Sequence, residues 1–428
     1  MSVVSLQLSQ CGNQIGHELF SVISDDSSGP NRKKYKQCSD ERFFYERSTG
    51  DMETKHISPR SRALETTGRM GKKYALGLSF KCVFCVHGPR HEEAVEDLVR
   101  MEMERCDLHH DECCRRHRFW CGYLHHSTFE GLYITTNLVH VPLLFILTLS
   151  LFTVYVVLPF QVIVQNYNSV LTLSHLYQLS DAILVHENDT VHKICSRLMN
   201  IKHISISDVN KVIAHQLASV LQPAYTADSP CHYSTNPIGE LLTSLVCHPE
   251  YKLLSLCNIP QMSSTSLAYS VFNWLGLLKH LRQMLIASAR MEEGIDWTVS
   301  ASGGESNSRH QNFNVSLVNL LILRGKDVST AVTDGFKDPA LYVPWLKTEN
   351  SFSTWTSPVA FNGYKRSAIL VSNSQSHLKP LDNIVRKAWN MFASRAYVHQ
   401  YTKFGISEED FLDGFTALEQ IISSYTHL

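Results

Sequence analysis

The 428-residue chain has no excess of charge of either sign: 39 lysines and arginines stand against 40 aspartates and glutamates, a formal net charge of −1. Without a basic field it lacks the electrostatic grip needed for nucleic acid, and without an acidic one it does not draw cationic partners, so contacts must be selected by shape. The first twenty residues carry no basic segment followed by a long apolar core and read as folded sequence, so an intracellular chain is expected. Twelve cysteines are dispersed along a long chain rather than packed into a short one, which favours reduced thiols over a disulfide framework. No internal repeat is visible. Neither the Walker pattern nor the dinucleotide glycine pattern occurs, although Gly12-x-x-x-Gly16 follows an apolar, strand-like start.

What is present reads as an α/β chain of several domains. Val3 to Leu8 alternates as a strand, a short helix is predicted through Leu19, and the polar stretch 25–37 reads as a loop. Residues 92–106 and 169–179 have helical spacing, and 162–164 and 182–185 are short buried-strand candidates, an order of strand, helix, strand. That order predicts a parallel sheet with a ligand at the carboxyl ends of its strands. Val209, Val212, Ile213, Leu217, Val220 and Leu221 fall on one face of a helix predicted over 208–221 and closed by Pro223. Beyond it the pattern mixes a strand over 251–258, a helix over 273–291 and a strand over 316–324. Two helices follow, 382–404 and 408–425, with Gly405 at the break and Ser407-x-x-Asp410 as a helix start.

Gln10-Cys11-Gly12-Asn13-Gln14-Ile15-Gly16 resembles the first nucleotide loop of the tubulins, a signature more specific than its glycines. VHGPRHEE at 86–93, VIVQNYNSVLTLSHLY at 162–177, LLKHLRQMLI at 277–286, and the later GFKDPALY, LVSNSQ and KAWNMFASRAYVHQYTKFGI resemble the delta branch of that family. The match covers 1–23 and 161–428, with islands between. It implies a nucleotide-binding domain over 1–205, a core helix over 206–225, an α+β intermediate domain over 226–366 and a C-terminal helical hairpin over 367–428. It also implies GTP or GDP with Mg²⁺ as cofactors, other tubulins or centriolar proteins as partners, and a place at centrioles and ciliary basal bodies.

Residue by residue, the resemblance puts Gln10 and Cys11 at the phosphates with Gln14 beside them, and Asp51 and Glu53 in the loop supporting Mg²⁺, a hard cation suited to carboxylate oxygen. Tyr167 corresponds to the ribose-side loop; Asn188 and Asn210 correspond to guanine-reading asparagines, whose amides offer both the donor and the acceptor that edge requires. Ile206 stands where the family places an aromatic ring against the base, a loss of about 1 to 3 kcal/mol of stacking. Glu240 matches a carboxylate that activates water on the neighbouring subunit's GTP.

Two phosphate loops of the family pattern are missing. YALGLSFKCVFC follows Lys73 in place of a Gly-Asn-Asn loop, and no GGTGSG segment follows Cys106. Each backbone N–H bond to a phosphate contributes about 1.5 to 3 kcal/mol, so three or four absent ones remove about 5 to 10 kcal/mol. In their place stand a Cys/His-rich stretch, Cys106 to His126, without CxxC or zinc-finger HxxxH spacing, and an uncharged run over 141–164 long enough to cross a bilayer. Because that run continues into the family-like VIVQNYNSVL, residues 107–159 are read as an anomalous segment, an alternative exon or translated intron. Three readings follow: a GTP-binding cytoskeletal protein, a nucleotide-free scaffold of the same fold, and, third, a single-span membrane protein.

Overall fold

The computed structural model describes residues 3–28, 32–46, 52–54, 56–57, 131–137, 149–157, 164–226, 232–234, 236–263, 266, 270–301, 313–403 and 405–428. In chain order the principal elements are β1 (Val3–Leu8), α1 (Ser9–Ser27), α2 (Lys33–Phe43), β2 (Phe44–Glu46), β3 (Met52–Thr54), β4 (His56–Ile57), β5 (Gly131–Asn137) and β6 (Leu149–Val157). They continue with α3 (Gln165–Leu179), β7 (Ala182–Glu187), α4 (Asn188–Lys193), α5 (Ile206–Leu221), α6 (Pro237–Leu245), β8 (Leu253–Ile259) and α7 (Trp274–Ile286). The last are β9 (Ser316–Gly325), β10 (Phe352–Ser357), β11 (Arg366–Ser374), α8 (Leu378–Ala393), α9 (Val398–Thr402) and α10 (Glu408–Thr426). The chain divides into two units, one formed by Met1–Asn13, Tyr45–Ile183 and Leu378–Thr426, the other by Gln14–Phe44, Leu184–His377 and His427–Leu428.

In the first unit β1 pairs parallel with β4 and antiparallel with β5, which pairs antiparallel with β6. The sheet is therefore mixed, where the strand-helix-strand order predicts a parallel one; antiparallel neighbours need no crossover helix between them. The uncharged run contributes residues 149–157 to β6, a period-two element, and no helix among the described residues is long and apolar enough to cross a membrane. The helices α3, α8 and α10 pack together through aromatic side chains. Tyr167 meets Tyr401 and Phe411 edge-on, and Trp389 meets Phe415.

The second unit is built on strands ordered β10-β9-β11-β8, with β7 beyond β8. β9 is buried along its whole length, as expected of a strand covered on both faces. Its two faces have different partners: Leu321 and Leu323 join Leu277, Leu281 and Leu285 of α7 in one core, while Arg324 turns the other way, to the end of α5. On β11, Leu370 joins the same α7 core and Asn373 reaches the Leu245 carbonyl at the end of α6. Gly325 ends β9 at φ +128, against the Lys365 backbone, a conformation and a closeness that exclude a side chain.

The helix ends explain where sequence periodicity and structure part. α5 starts two residues before the periodic pattern because Ser205 and Asp208 form a reciprocal capping box. α7 stops at Ile286, short of the predicted 291, because Ser288 is left-handed at φ 53 and Ala289 N–H donates to Met284 C=O at 2.8 Å. The predicted helix over 382–404 is two helices, split by left-handed Arg395 and Tyr397. The predicted loop over 25–37 is instead the end of α1 and the start of α2. The helix predicted over 92–106, the whole Cys/His-rich stretch and the strand residues 162–163 lie outside the described residues; Val164 precedes α3 as a turn.

The carboxyl end of α5 is closed by arginine. Arg324 is fully buried and donates through Nε to Ser219 C=O at 2.9 Å, through Nη2 to Gln222 C=O at 2.6 Å and through Nη1 to Pro223 C=O at 2.8 Å. Arg42, also buried, donates to Leu221 C=O at 3.3 Å and to Ser234 C=O. Asp26 stands by this end: it accepts from Tyr35 Oη at 2.5 Å, Asn362 N–H at 2.9 Å and Arg32 Nη1 at 3.1 Å, and Gln222 Nε2 approaches it at 3.3 Å. Helix carbonyls left without N–H partners carry partial negative charge, which is what the guanidinium meets here. Replacing Arg324 by Met leaves three buried carbonyls without donors, and the urea midpoint is expected to fall by the equivalent of about 3 kcal/mol or more.

Candidate functional site

α1 follows β1 without a break, so its first turn, which contains Gln10 and Cys11, has backbone N–H groups unpaired within the helix, a suitable terminus for an anion. Further along the same helix, in the second unit, Gln14 and Glu18 lie one turn apart and both meet α5. Asn210 Nδ2 donates to Gln14 Oε1 at 3.2 Å, and Ser207 Oγ to Glu18 Oε1 at 3.2 Å. Asn210 is buried and Gln14 exposed, so the pair spans the boundary between core and solvent. Ile206, one turn before Asn210, is 66% exposed, an aliphatic surface where the family carries a ring. Of the sequence-predicted site residues, Gln14 and Asn210 are the ones the structure joins by a hydrogen bond.

Asn188 opens α4, a short helix packed on α5. Its Oδ1 is buried and has no hydrogen-bond partner among the described residues. Glu240 sits in the first turn of α6, capped by Asn236 and started by Pro237; its Oε2 is likewise buried without a partner among the described residues. An orphaned buried acceptor costs about 1 to 3 kcal/mol, and functional sites are where proteins keep such groups. In the first unit Tyr167 is fully buried and its hydroxyl donates to Ala396 C=O at 3.0 Å, so this side chain is committed to the C-terminal helices. Glu53 lies half-buried on β3 and has a partner of its own; Asp51 lies outside the described residues.

Periodicity and motif missed a second constellation, at the end of β7. Arg290 Nη1 reaches Val185 C=O at 3.4 Å, and Nη2 lies 3.3 Å from Ser376 Oγ, 3.1 Å from His377 Nδ1 and 4.0 Å from Glu187 Oε1. His377 Nε2 is 3.0 Å from Leu254 C=O, which makes Nε2 the protonated nitrogen and leaves Nδ1 to accept from Arg290. Burial, and then the Arg290 charge, push His186 down to about 3 and His377 well below the usual imidazole range, so both rings are neutral at physiological pH. The Arg290 segment is pinned from β8: Gln261 Nε2 donates to Arg290 C=O at 2.9 Å, Glu292 N–H to Gln261 Oε1 at 3.0 Å and Gln261 N–H to Glu292 Oε1 at 3.2 Å. Nothing in the local pattern marks Arg290, since these partners lie 86 to 105 residues away in sequence.

No protein-family profile matches the chain. Complete curated sequences do: Tubulin delta chain of Macaca fascicularis is 49% identical over 464 aligned positions, and that of Canis lupus familiaris 50% over 467, each covering 100% of both chains. Tubulin beta-7 chain of Gossypium hirsutum is 21% identical over 451 positions, covering 99% of this chain and 94% of its own. The chain belongs to the tubulin family, and its mixed sheet with helices fits that family's α/β fold. Within the family it sides with the delta chains, and it is a cytoskeletal protein of that class. Both alignments are longer than the chain's 428 residues, so each opens gaps against it.

The clasp between Gln261 and Glu292 sets a pH dependence. Burial raises the Glu292 carboxyl from its ordinary 4.5 to about 7, against a smaller lowering by the Gln261 N–H; the Tyr364 hydroxyl is raised by its own burial and then by the Glu292 charge. The folded state therefore holds this proton more tightly than the unfolded state. The stabilisation is complete below about 4.5 and is lost as pH rises through about 7. Urea unfolding of the Glu292→Gln variant between these limits is expected to lack that fall in stability relative to the parent; an identical profile would remove Glu292 as its source.

Proposed function

We propose that this tubulin acts in microtubule assembly at centrioles and ciliary basal bodies, through contacts with other tubulins or centriolar proteins, and that it holds guanine nucleotide by its base more than by its phosphates. The layout that accompanies this reading is a nucleotide-binding domain over 1–205, a core helix over 206–225, an intermediate domain over 226–366 and a C-terminal hairpin over 367–428. The observation that carries the nucleotide part is the Gln14–Asn210 hydrogen bond, which sets one guanine-reading amide against the helix of the first phosphate loop. The buried Oδ1 of Asn188, without a hydrogen-bond partner among the described residues, fits the donor-rich edge of guanine. The phosphate side fits less well, because the chain contains neither the Gly-Asn-Asn loop nor GGTGSG.

In this reading Gln10, Cys11 and Gln14 approach the phosphates, Asp51 and Glu53 support Mg²⁺ through water, Tyr167 backs the ribose-side loop, and Glu240 orients water on a neighbouring subunit's GTP. Bound GTP would supply the phosphoanhydride that such a carboxylate addresses. The missing loops favour a second reading, a nucleotide-free scaffold that keeps the tubulin outline. Equilibrium titration of the purified chain with fluorescent GTP and ATP analogues separates the two. Saturable binding of GTP in preference to ATP, weakened about tenfold or more by Asn210→Ala, is the expected result. No binding at millimolar nucleotide would leave the scaffold.

A further inference from the structure

The corner formed by Glu187 and Asn188 follows β7, whose residues Ala182 to Val185 and His186 are buried, yet no side-chain cap holds the start of α4. α4 runs directly into a π-helical stretch over Ile194–Leu198, so its own path is set, and the direction of the Asn188 amide at its uncapped start depends on what fixes the strand end. Arg290 is the group that reaches it. Its side chain is 13% exposed and that of Glu187 22%, so their attraction is screened less than a surface pair's. The guanidinium donates to Val185 C=O, three residues before Asn188, at 3.4 Å, and stands 4.0 Å from the carboxylate of Glu187, the residue directly before it. Its other contacts, Ser376 and His377, lie at the end of β11, and its own backbone is held by Gln261. The two neutral histidines beside it, His186 and His377, add no competing positive charge.

We propose that Arg290 is a positioning residue for nucleotide selectivity: it fixes the Glu187–Asn188 corner so that the Asn188 amide is presented to a guanine edge. This rests on the guanine-reading role proposed above for Asn188. Arg290 does not touch the nucleotide and acts on the base edge alone, leaving the phosphate contacts unchanged. Lysine keeps the charge toward Glu187 but not the fork that spans Val185, Ser376 and His377, so it replaces arginine only in part.

The test combines amide hydrogen exchange over residues 185–190 with equilibrium binding of fluorescent GTP and ATP analogues to the full chain. Arg290→Met is expected to speed exchange over 185–190 and to lower GTP affinity about tenfold, the equivalent of one charged hydrogen bond, while ATP affinity stays near the parent's. Arg290→Lys should recover part of both effects, and Glu187→Gln should reproduce the exchange effect from the other side of the pair. Arg290→Met combined with Asn188→Ala should bind GTP no more weakly than Asn188→Ala alone. Unchanged exchange in Arg290→Met, or a parallel fall for GTP and ATP, overturns the positioning role. A parent that binds no GTP, or an Asn188→Ala variant that binds it normally, overturns the reading of Asn188 instead, and the exchange data still decide whether Arg290 holds the corner.

Discussion

The guanidinium of Arg324 is the contact on which the second unit depends. A sixteen-residue helix, α5, ends in the protein interior, and its final carbonyls must find donors where no water reaches. One side chain from β9 supplies donors to Ser219 C=O in the last turn and to Gln222 and Pro223 C=O just beyond it. Because β9 sends Leu321 and Leu323 to the α7 core from its opposite face, the same strand fixes α5 and α7 together. Burial lowers the Arg324 pKa from its ordinary 12.5, countered by Tyr35 and Asp26, yet a guanidinium stays charged throughout the biological range.

That arrangement also orders the candidate site. With the carboxyl end of α5 held by Arg324 and Arg42, its amino end meets α1 at two places one turn apart, Asn210 with Gln14 and Ser207 with Glu18. Gln14 and Asn210 are thus anchored through the helix to the sheet. By contrast, the glycine loops that would wrap a triphosphate are missing from the sequence itself. A protein can lose backbone donors to a ligand without losing its fold, since those groups serve the ligand and not the core.

Much of the fold was legible because period and capping are local. The apolar face of α5, the strands at β7, β8 and β9, and the Ser407–Asp410 start of α10 follow from neighbours within a few residues. What escaped depends on distant partners. The split of the last helical stretch at Arg395 and Tyr397 accompanies a bond from Tyr167, 229 residues away from Ala396. The mixed sheet was hidden because strand direction is fixed by pairing and not by composition. The site was legible only through resemblance: an asparagine at 188 or 210 looks like any turn residue, and Arg290 resembles an ordinary basic residue after a helix.

The Tyr167 hydroxyl has a mechanical consequence. It binds the one carbonyl that lies between two left-handed residues, at φ 54 and φ 60, where an extended or helical path would point that oxygen elsewhere. The tyrosine therefore works as a rigid strut of fixed length from α3 to the bend between α8 and α9. A displacement of α3 beyond the tolerance of a 3.0 Å bond must either swing that bend or break the strut. Any rearrangement of the bend between α8 and α9 is thereby coupled to the position of α3 through a single phenol ring.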